Sequence, residues 1–362
     1  MPKLTIRLPF HPTAESYPLP TLAKRAGLLA HSGLTLVMVI AVVACSKNPA
    51  DTPPPTIAPA SAAVSPPVAT PVDGVVRPLA GPGLTCVFDD ATATLVVLSG
   101  RSSGTSTITT FPATGAPRTV ALPSPATALT GDRHGTAYLA APGGYLRFDV
   151  ARGVAERHDV PGQQATDFTA ITSRADGRLA LGSADGAVYT LAPDGTVSAQ
   201  LKIFARVDEL VAHGDTVFVL DRSQTSVTTV DPSGTEAQHA LRAGEGATNM
   251  ALDPAGRILV ADTRGEQLLV FGSDPLILRQ QYPVRGAPYG VAGSAGLAWV
   301  SETATNSLVG YDLATGIPVE KVRYRTVQQP NSLAFDDKTG TLYVVSGSGA
   351  GVQVIAGAGK QP

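Results

Sequence analysis

The sequence predicts an all-β protein, a seven-bladed β-propeller closed by an N-terminal strand and preceded by a signal peptide and a proline-rich linker. Apolar strand-like segments recur about every 40 residues, which is a period typical of propeller blades. Turns that contain Asp, Pro and Gly separate these segments, as in a meander of antiparallel strands. After residue 45 no long segment has the apolar periodicity of a helix, which argues against crossover helices and a parallel sheet.

The N-terminal region is basic and ends in a short apolar run from Leu34 to Val43. The run is too short to cross the roughly 30 Å hydrocarbon core as a helix, and this order of segments is typical of a secretory signal. It ends in Val42-Val43-Ala44-Cys45, which resembles a bacterial lipobox. The resemblance implies that residues 1–44 are removed and that Cys45 carries acyl chains such as palmitate. Lipid on Cys45 would hold the protein on the cell membrane, facing the periplasm or the cell exterior. An uncleaved anchor and an ordinary signal peptide are the alternatives.

Residues 45–74 are rich in proline and alanine and poor in charge and in large apolar side chains. Such a segment cannot bury enough surface to fold alone. We therefore predict a disordered tether, extended at about 3.1 Å per residue, that holds the folded domain away from the bilayer. The second cysteine, Cys86, lies in an apolar strand and is predicted to be a buried, unreactive thiol.

Two sets of apolar positions define the repeat. The second strands of the seven units align on one of them: Val97, Leu139, Leu181, Val219, Val260, Val300 and Val344. The third strands align on the other: Phe111, Phe148, Leu191, Val230, Phe271, Tyr311 and Ile355. Because both sets give the same count and nearly the same period, we place one propeller in residues 75–356, followed by a short tail, residues 357–362.

The position of a strand within its unit predicts its environment. Second strands are almost wholly apolar and should be buried between adjacent blades, whereas fourth strands carry charges that suit a solvent edge and block strand addition. The seventh unit has only three strands, and residues 75–80 have no partner in the first unit. We therefore predict that residues 75–80 supply the outer strand of the seventh blade. Pro78 is acceptable there because an outermost strand leaves one side unpaired.

Three of the later units resemble known propeller repeats. The segment from Asn249 to Phe271 resembles the NHL repeat, and residues 330–346 resemble the YVTN repeat of bacterial propellers. Residues 288–291 and 297–302 are similar to repeats of streptogramin-lyase-like propellers. These families share a fold and not a function, so the resemblance implies the architecture alone. The high content of alanine, proline and glycine is typical of high-GC actinobacteria.

In a propeller, the loops that enter the first strands and the loops between second and third strands meet at one mouth of the central channel. That mouth is the usual binding face. In this sequence its loops carry polar groups of both signs, which form a predicted binding rim: Asp167, Asp208, Asp221, Arg222, Asn249, Asp262, Arg264, Tyr289, Glu302 and Asn331. We expect a monomeric, non-catalytic binding module whose partner is a protein, peptide or glycan of the cell envelope.

Two enzyme classes are alternatives to this interpretation. A gluconolactonase-like hydrolase would hold Ca²⁺ or another divalent cation, for which the hard oxygen ligands Asp167, Asn249, Glu302 and Asn331 are candidates. The alternative of a streptogramin-lyase-like enzyme rests on the match of the strand from Trp299 to Glu302 alone. The sequence contains no haem, phosphate-loop or nucleophile-elbow motif, so we assign no catalytic residue and no cofactor. With a formal net charge of −2 and no basic cluster, a nucleic-acid partner is not expected.

Overall fold

The chain folds as seven four-stranded antiparallel sheets, which are the blades of the predicted propeller. A computed structural model describes residues 55–100 and 104–359, all of which belong to one compact unit, Ala50–Pro362. Within the described residues the regular elements are strands, and no helix has the length and apolar character needed to cross a membrane. The predicted signal peptide and Cys45 lie outside the described residues.

The strands follow one another around the ring in the order of the sequence. The chain enters through β1 (Val75–Arg77). The first blade consists of β2 (Gly83–Asp89), β3 (Thr94–Gly100), β4 (Ser106–Pro112) and β5 (Arg118–Ala121). The second consists of β6 (Ala128–Gly131), β7 (Thr136–Ala141), β8 (Gly144–Asp149) and β9 (Val154–Asp159). The third consists of β10 (Phe168–Ser173), β11 (Leu179–Ser183), β12 (Ala187–Leu191) and β13 (Val197–Lys202).

The remaining blades repeat this pattern. The fourth consists of β14 (Glu209–His213), β15 (Thr216–Asp221), β16 (Ser226–Val230) and β17 (Ala237–Arg242). The fifth consists of β18 (Ala247–Leu252), β19 (Ile258–Asp262), β20 (Gln267–Ser273) and β21 (Leu276–Pro283). The sixth consists of β22 (Pro288–Gly293), β23 (Ala298–Glu302), β24 (Ser307–Asp312) and β25 (Val319–Arg325). The seventh contains β26 (Pro330–Asp336), β27 (Thr341–Ser346) and β28 (Val352–Ile355). Every position used to align the second and third strands falls in the strand predicted for it.

The N-terminal strand closes the ring as predicted. β1 pairs antiparallel with β28, with Val76 opposite Gln353, and it ends at Arg77, before Pro78. Gly74 enters this pairing with φ at 77°, and a Cβ on it would lie 2.3 Å from the carbonyl oxygen of Val354. Because that space admits no side chain, glycine is required where the chain turns into the outer strand.

A hydrophobic cluster lies at each boundary between adjacent blades. At the closing boundary, Val97 and Phe111 of the first blade pack with Val345 and Val352 of the seventh, and all four are fully buried. Second strands such as β11 are buried along their whole length, whereas outer strands such as β17 are mostly exposed. The blades are therefore held together by apolar burial between second and third strands, while charges line the outside.

One prediction is wrong for its described part. Residues 45–74 were expected to be disordered, but residues 57–66 lie on the propeller across the fourth to seventh blades, and we call this segment the strap. It begins at Ile57, whose N–H donates to the carbonyl of Ser223 at 2.8 Å. Near its end Ser65 is 3 % exposed, and its hydroxyl donates to the carbonyl of Thr303 at 2.6 Å. The segment folds because it docks on a surface supplied by distant residues, and composition alone does not reveal such a surface.

Candidate functional site

A central channel of about 550 Å³ runs between the first strands of the seven blades. Each blade contributes to its wall through β2, β6, β10, β14, β18, β22 and β26 or the residues just before them. Five residues of the predicted rim line this channel: Asp208, Arg222, Asn249, Tyr289 and Asn331. Half of the predicted rim therefore meets at the channel, with Asp208 and Arg222 on loops, whereas Asn249, Tyr289 and Asn331 lie within first strands.

Glu209 and Asn249 occupy the same position of adjacent first strands. Glu209 pairs with Leu220 and Asn249 pairs with Ala261. In each case the partner is the residue after the aligned apolar position of the second strand. The matching position carries a smaller residue in four other blades: Thr85, Ala128, Ala170 and Ser332. The side of the channel formed by the fourth and fifth blades is consequently its most polar side.

Two carboxyl groups stand next to each other at this side of the channel. The carboxylate of Asp208 accepts hydrogen bonds from the N–H of Arg222 at 2.8 Å and from Nε of Arg206 at 3.1 Å. Glu209 accepts one from the N–H of Met250 at 2.5 Å. Burial raises the pKa of both carboxyl groups, and that of Glu209 reaches about 8. At neutral pH Glu209 is therefore mostly protonated and presents an O–H donor to the channel.

Two further donors at this site have no partner among the described residues. Nδ2 of Asn249 and Nε of Arg222 are both buried, and neither makes a hydrogen bond within the described chain. Buried polar atoms of folded proteins are almost always paired, and leaving one unpaired costs about 1–3 kcal/mol. Together with protonated Glu209, they make this side of the channel suited to a ligand that accepts hydrogen bonds.

Two other rim candidates have a structural role. Asp221 and Asp262 end the second strands of the fourth and fifth blades, and both are fully buried. The carboxylate of Asp262 accepts hydrogen bonds from the N–H groups of Gly246 at 2.7 Å and Gly265 at 3.1 Å. Asp221 accepts in the same way from the N–H groups of the loop that enters its blade, at residues 205 and 206. These carboxylates fix the loops of the mouth and are not exposed to a ligand.

The metal candidates do not all meet at one place. Asn249 and Asn331 line the channel, but Asp167 is exposed beside β10 and Glu302 is 3 % exposed at the end of β23. The carboxylate of Glu302 is bound by Arg323 at 2.5 Å and by the hydroxyl of Ser307 at 2.5 Å. In the described part of the chain, no three side chains drawn from His, Cys, Asp and Glu are grouped so as to hold a metal ion.

Arg264, the last rim candidate, lies on the loop after β19 and contacts the strap. Its Nη2 donates to the carbonyl oxygen of Ala58 at 2.7 Å, and its Nη1 donates to that of Glu245 at 3.0 Å. Arg222 also reaches the strap, where its Nη2 donates to the carbonyl oxygen of Ala60. Arg222 therefore contacts both the channel and the strap.

Cys86 lies on the channel wall as a buried free thiol, as the sequence predicts. Its Sγ lies 3.3 Å from the hydroxyl of Ser332, which also accepts a hydrogen bond from the N–H of Cys86. Burial raises the pKa of the thiol to about 12. The thiolate is therefore scarce at neutral pH, and the group is a poor nucleophile.

Sequence analysis missed Glu209 and three of the side chains that hold the strap, Asn306, Gln328 and Gln329. A sequence signal for Glu209 does exist, because an acidic residue follows Asp208 where the other first strands carry small or neutral residues. The strap contacts have no comparable signal. Gln329, for example, lies 264 residues from Ser65, whose N–H it binds.

The fold is shared with solved propellers of different function. A streptogramin B lyase superimposes with a TM-score of 0.64 at 10 % identity, over 79 % of this chain and 97 % of that one. Virginiamycin B lyase from Staphylococcus aureus gives 0.62 at 12 % identity, over 76 % and 95 %. A chain of the mitotic checkpoint complex gives 0.65 at 12 % identity, over 80 % and 97 %. No protein-family model and no curated protein sequence matches the chain. Likeness at this level of identity shows the fold alone.

Proposed function

We propose that this chain is a lipid-anchored extracytoplasmic protein whose propeller is a non-catalytic binding module, with its site on the polar side of the channel. The observation that carries the proposal is the pair of buried donors that have no partner in the described part of the chain, Nδ2 of Asn249 and Nε of Arg222, beside the carboxyl of Glu209. Binding sites of this kind have apolar walls and a few polar groups that fix the orientation of the ligand.

The chemistry of the site indicates a neutral ligand that is rich in hydrogen-bond acceptors. Asp208 lies beside Arg222, and burial raises the pKa of both Asp208 and Glu209, which disfavours their charged forms, so the site does not select strongly for an anion or a cation. Carbonyl and hydroxyl oxygens would pair with the donors of Asn249, Arg222 and Glu209. Peptide backbones and glycans both supply such oxygens, which agrees with an envelope peptide or glycan as partner.

Binding can be tested with a panel of neutral oligosaccharides and uncharged peptides, titrated against the chain that begins at Ser46. We expect Asn249→Ala to lower the affinity for the bound panel member by roughly 5- to 150-fold, since leaving a buried hydrogen-bonding group unpaired costs about 1–3 kcal/mol. Gln200→Ala is the matched control, because it removes an exposed amide from the outer strand β13. Equal affinity of the Asn249→Ala variant would rule out this side of the channel as the site.

The same panel separates binding from catalysis. A streptogramin B antibiotic belongs in it, because solved lyases of that class share the fold, and one lyase structure contains quinupristin. A gluconolactonase-like hydrolase is the other alternative, which the oxygen donors of Asn249 and Asn331 on the channel wall would serve. Conversion of any panel member to a product, followed by mass spectrometry, would replace the non-catalytic proposal with an enzyme.

The anchor would set the distance between this site and the membrane. About twelve residues separate Cys45 from Ile57, and they span at most about 40 Å when fully extended. With the strap docked, a lipid on Cys45 would therefore keep the mouth of the propeller within about 40 Å of the bilayer surface. A tether that was free as far as Val75 would reach about 100 Å.

Anchoring can be tested by fractionating cells that produce the full chain. Cys45→Ala should release the protein from the membrane without a change in its melting temperature. Cys86→Ala is the matched control, since it removes the other cysteine and should leave the protein on the membrane. Retention of the Cys45→Ala variant on membranes would show that the apolar run from Leu34 to Val43 is itself the anchor.

A further inference from the structure

The strap is held mainly through its backbone. Five side-chain N–H donors, spread over four blades, each bind one strap carbonyl oxygen. The donors and the residues whose carbonyls they bind are Arg264 with Ala58, Arg222 with Ala60, Gln329 with Ala63, Gln328 with Ser65, and Asn306 with Pro66. Backbone recognition by donors in a row is the way in which proteins bind extended peptides.

Gln329 binds the strap as a neighbouring β-strand would. Its Nε2 donates to the carbonyl of Ala63 at 2.8 Å, and its Oε1 accepts from the N–H of Ser65 at 3.1 Å. The N–H of Gln329 itself donates to the hydroxyl of Ser65 at 3.0 Å. One side-chain amide thus satisfies a donor and an acceptor of the same extended segment, which fixes its direction and register.

Only two strap side chains are buried, and both are small. Ala60 is 7 % exposed and Ser65 is 3 % exposed, whereas Val64 between them is 91 % exposed. A Cβ on Gly246 would lie 2.9 Å from the Cβ of Ala60, so the propeller backbone is already as close as Ala60 allows. The surface therefore contacts the strap backbone and two small buried residues five positions apart, while Ala62 and Ala63 are half-buried and the other strap side chains are exposed.

We propose that this surface, which we call the strap groove, is a peptide-binding site that the strap occupies within its own chain. Its ligand is an extended peptide that carries two small residues with the spacing of Ala60 and Ser65. When the ligand comes from another molecule, it is the strap of a second copy of this chain. The groove borders the channel through Arg222, which lines the channel and binds the carbonyl of Ala60. The proposal depends neither on lipid at Cys45 nor on the channel ligand.

Competition within the chain determines what a binding experiment will show. A segment tethered next to its site acts at an effective concentration in the millimolar range. A free peptide of the same sequence should therefore bind the intact chain weakly and bind a chain with an undocked strap well. The site is best exposed by changing the strap, because such a change leaves the groove intact.

The experiment uses the chain from Ser46 with Ala60→Leu and Ser65→Leu combined, since neither leucine fits where the groove admits only small residues. A fluorescent peptide of residues 55–70 with the native sequence is titrated by anisotropy. We expect at least tenfold tighter binding to this double variant than to the unchanged chain. Val64→Leu is the matched control, because Val64 is exposed: this variant should keep its strap docked and bind the peptide as weakly as the unchanged chain does.

Two further measurements make the result decisive. A peptide with the same two leucines should not bind, and Gln329→Ala in the double variant should abolish binding of the native peptide. Limited proteolysis reports whether the strap is released. If it is released and the native peptide still binds no better, the groove is not an exchangeable site. If the strap of the double variant stays protected, the groove does not select small residues, and the proposal is equally overturned.

A second test leaves all strap and groove residues unchanged. A protease site is inserted between Thr70 and Pro71, which are exposed, and the folded chain is cut there. The released fragment should co-elute with the propeller and should exchange with excess labelled peptide. Immediate loss of the fragment, or failure to exchange with the peptide, would contradict the proposal.

Discussion

The carboxyl group of Glu209 in the fourth blade accepts a hydrogen bond from the N–H of Met250 in the fifth, at 2.5 Å. This contact joins adjacent first strands and places Glu209 beside Asn249 on the channel wall. It also takes Glu209 out of bulk water, and burial is the main reason that its pKa rises to about 8. A titratable group is therefore coupled both to the joining of two blades and to the proposed site.

The raised pKa predicts a specific dependence of stability on pH. The unfolded chain has a glutamate pKa of 4.5, whereas the folded chain has one of about 8. Between these values the folded state binds more protons, so the free energy of unfolding falls as the pH rises. We expect Glu209→Gln, which keeps an acceptor for Met250, to resemble the unchanged chain below pH 4.5 and to exceed its stability by up to about 5 kcal/mol at pH 9, since one pKa unit corresponds to about 1.4 kcal/mol.

Urea unfolding at several pH values between 4 and 9 measures this difference. Glu236→Gln is the matched control, because it removes one carboxylate from an exposed position. Its difference from the unchanged chain should stay small across the range. A constant difference between the Glu209→Gln variant and the unchanged chain at all pH values would show that Glu209 is not titrating near 8.

The buried carboxylate of Asp262 predicts a large loss of stability on its removal. It accepts hydrogen bonds from the N–H groups of Gly246 and Gly265 and from Nε2 of Gln267 at 2.6 Å. Asp262→Ala would leave these donors unpaired, and we expect a loss of about 2–4 kcal/mol in urea unfolding. Asp159→Ala, which removes an exposed ion pair with Arg157, should cost under about 1 kcal/mol. Similar costs for both variants would contradict the loop-fixing role.

The closure of the ring predicts that deletion of residues 75–80 is severe. The deletion exposes the edge of β28, where Val352 is fully buried, and removes the pairing of Val76 with Gln353. We expect the melting temperature to fall by about 10 °C or more. Deletion of six residues ahead of the strap, 47–52, is the control and should leave the melting temperature nearly unchanged. An unaltered melting curve after deletion of residues 75–80 would mean that β1 contributes little to closure.

The fold could be predicted because its signals are local in sequence. Val97 and its counterparts are apolar because every second strand is buried between blades, and the unpaired residues 75–80 match a blade that lacks a strand. The strap could not be predicted because its order depends on donors such as Gln329 and Arg222, which are far away in the chain. The pKa of Glu209 likewise depends on burial between two blades, which composition does not show.

The proposal of a non-catalytic channel predicts that calcium does not stabilise the protein. A cation bound at one hundred times its dissociation constant would add about 2.7 kcal/mol, so we expect the melting temperature to be the same with Ca²⁺ and with a chelator. Asn249→Ala and Asn331→Ala separate the possibilities, with Gln200→Ala as control. Stabilisation by calcium that both asparagine variants lose and the control retains would favour the metal-dependent hydrolase.

The environment of Cys86 predicts that its thiol is unreactive until the propeller opens. The side chain is 6 % exposed, and burial raises its pKa to about 12. In the chain from Ser46 it is the sole cysteine, so a chromogenic disulfide reports on it alone.

We expect negligible reaction of the Cys86 thiol in native buffer at pH 8 and rapid reaction in concentrated guanidinium chloride. Leu84→Cys in a Cys86→Ala background is the control, because Leu84 lies two residues earlier in the same strand and is 48 % exposed, so this thiol should react at once under native conditions. Because Cys86 packs at the boundary between the first and seventh blades, its native reaction rate should rise when residues 75–80 are deleted. Fast reaction in the intact native chain would show that this boundary opens without unfolding of the ring.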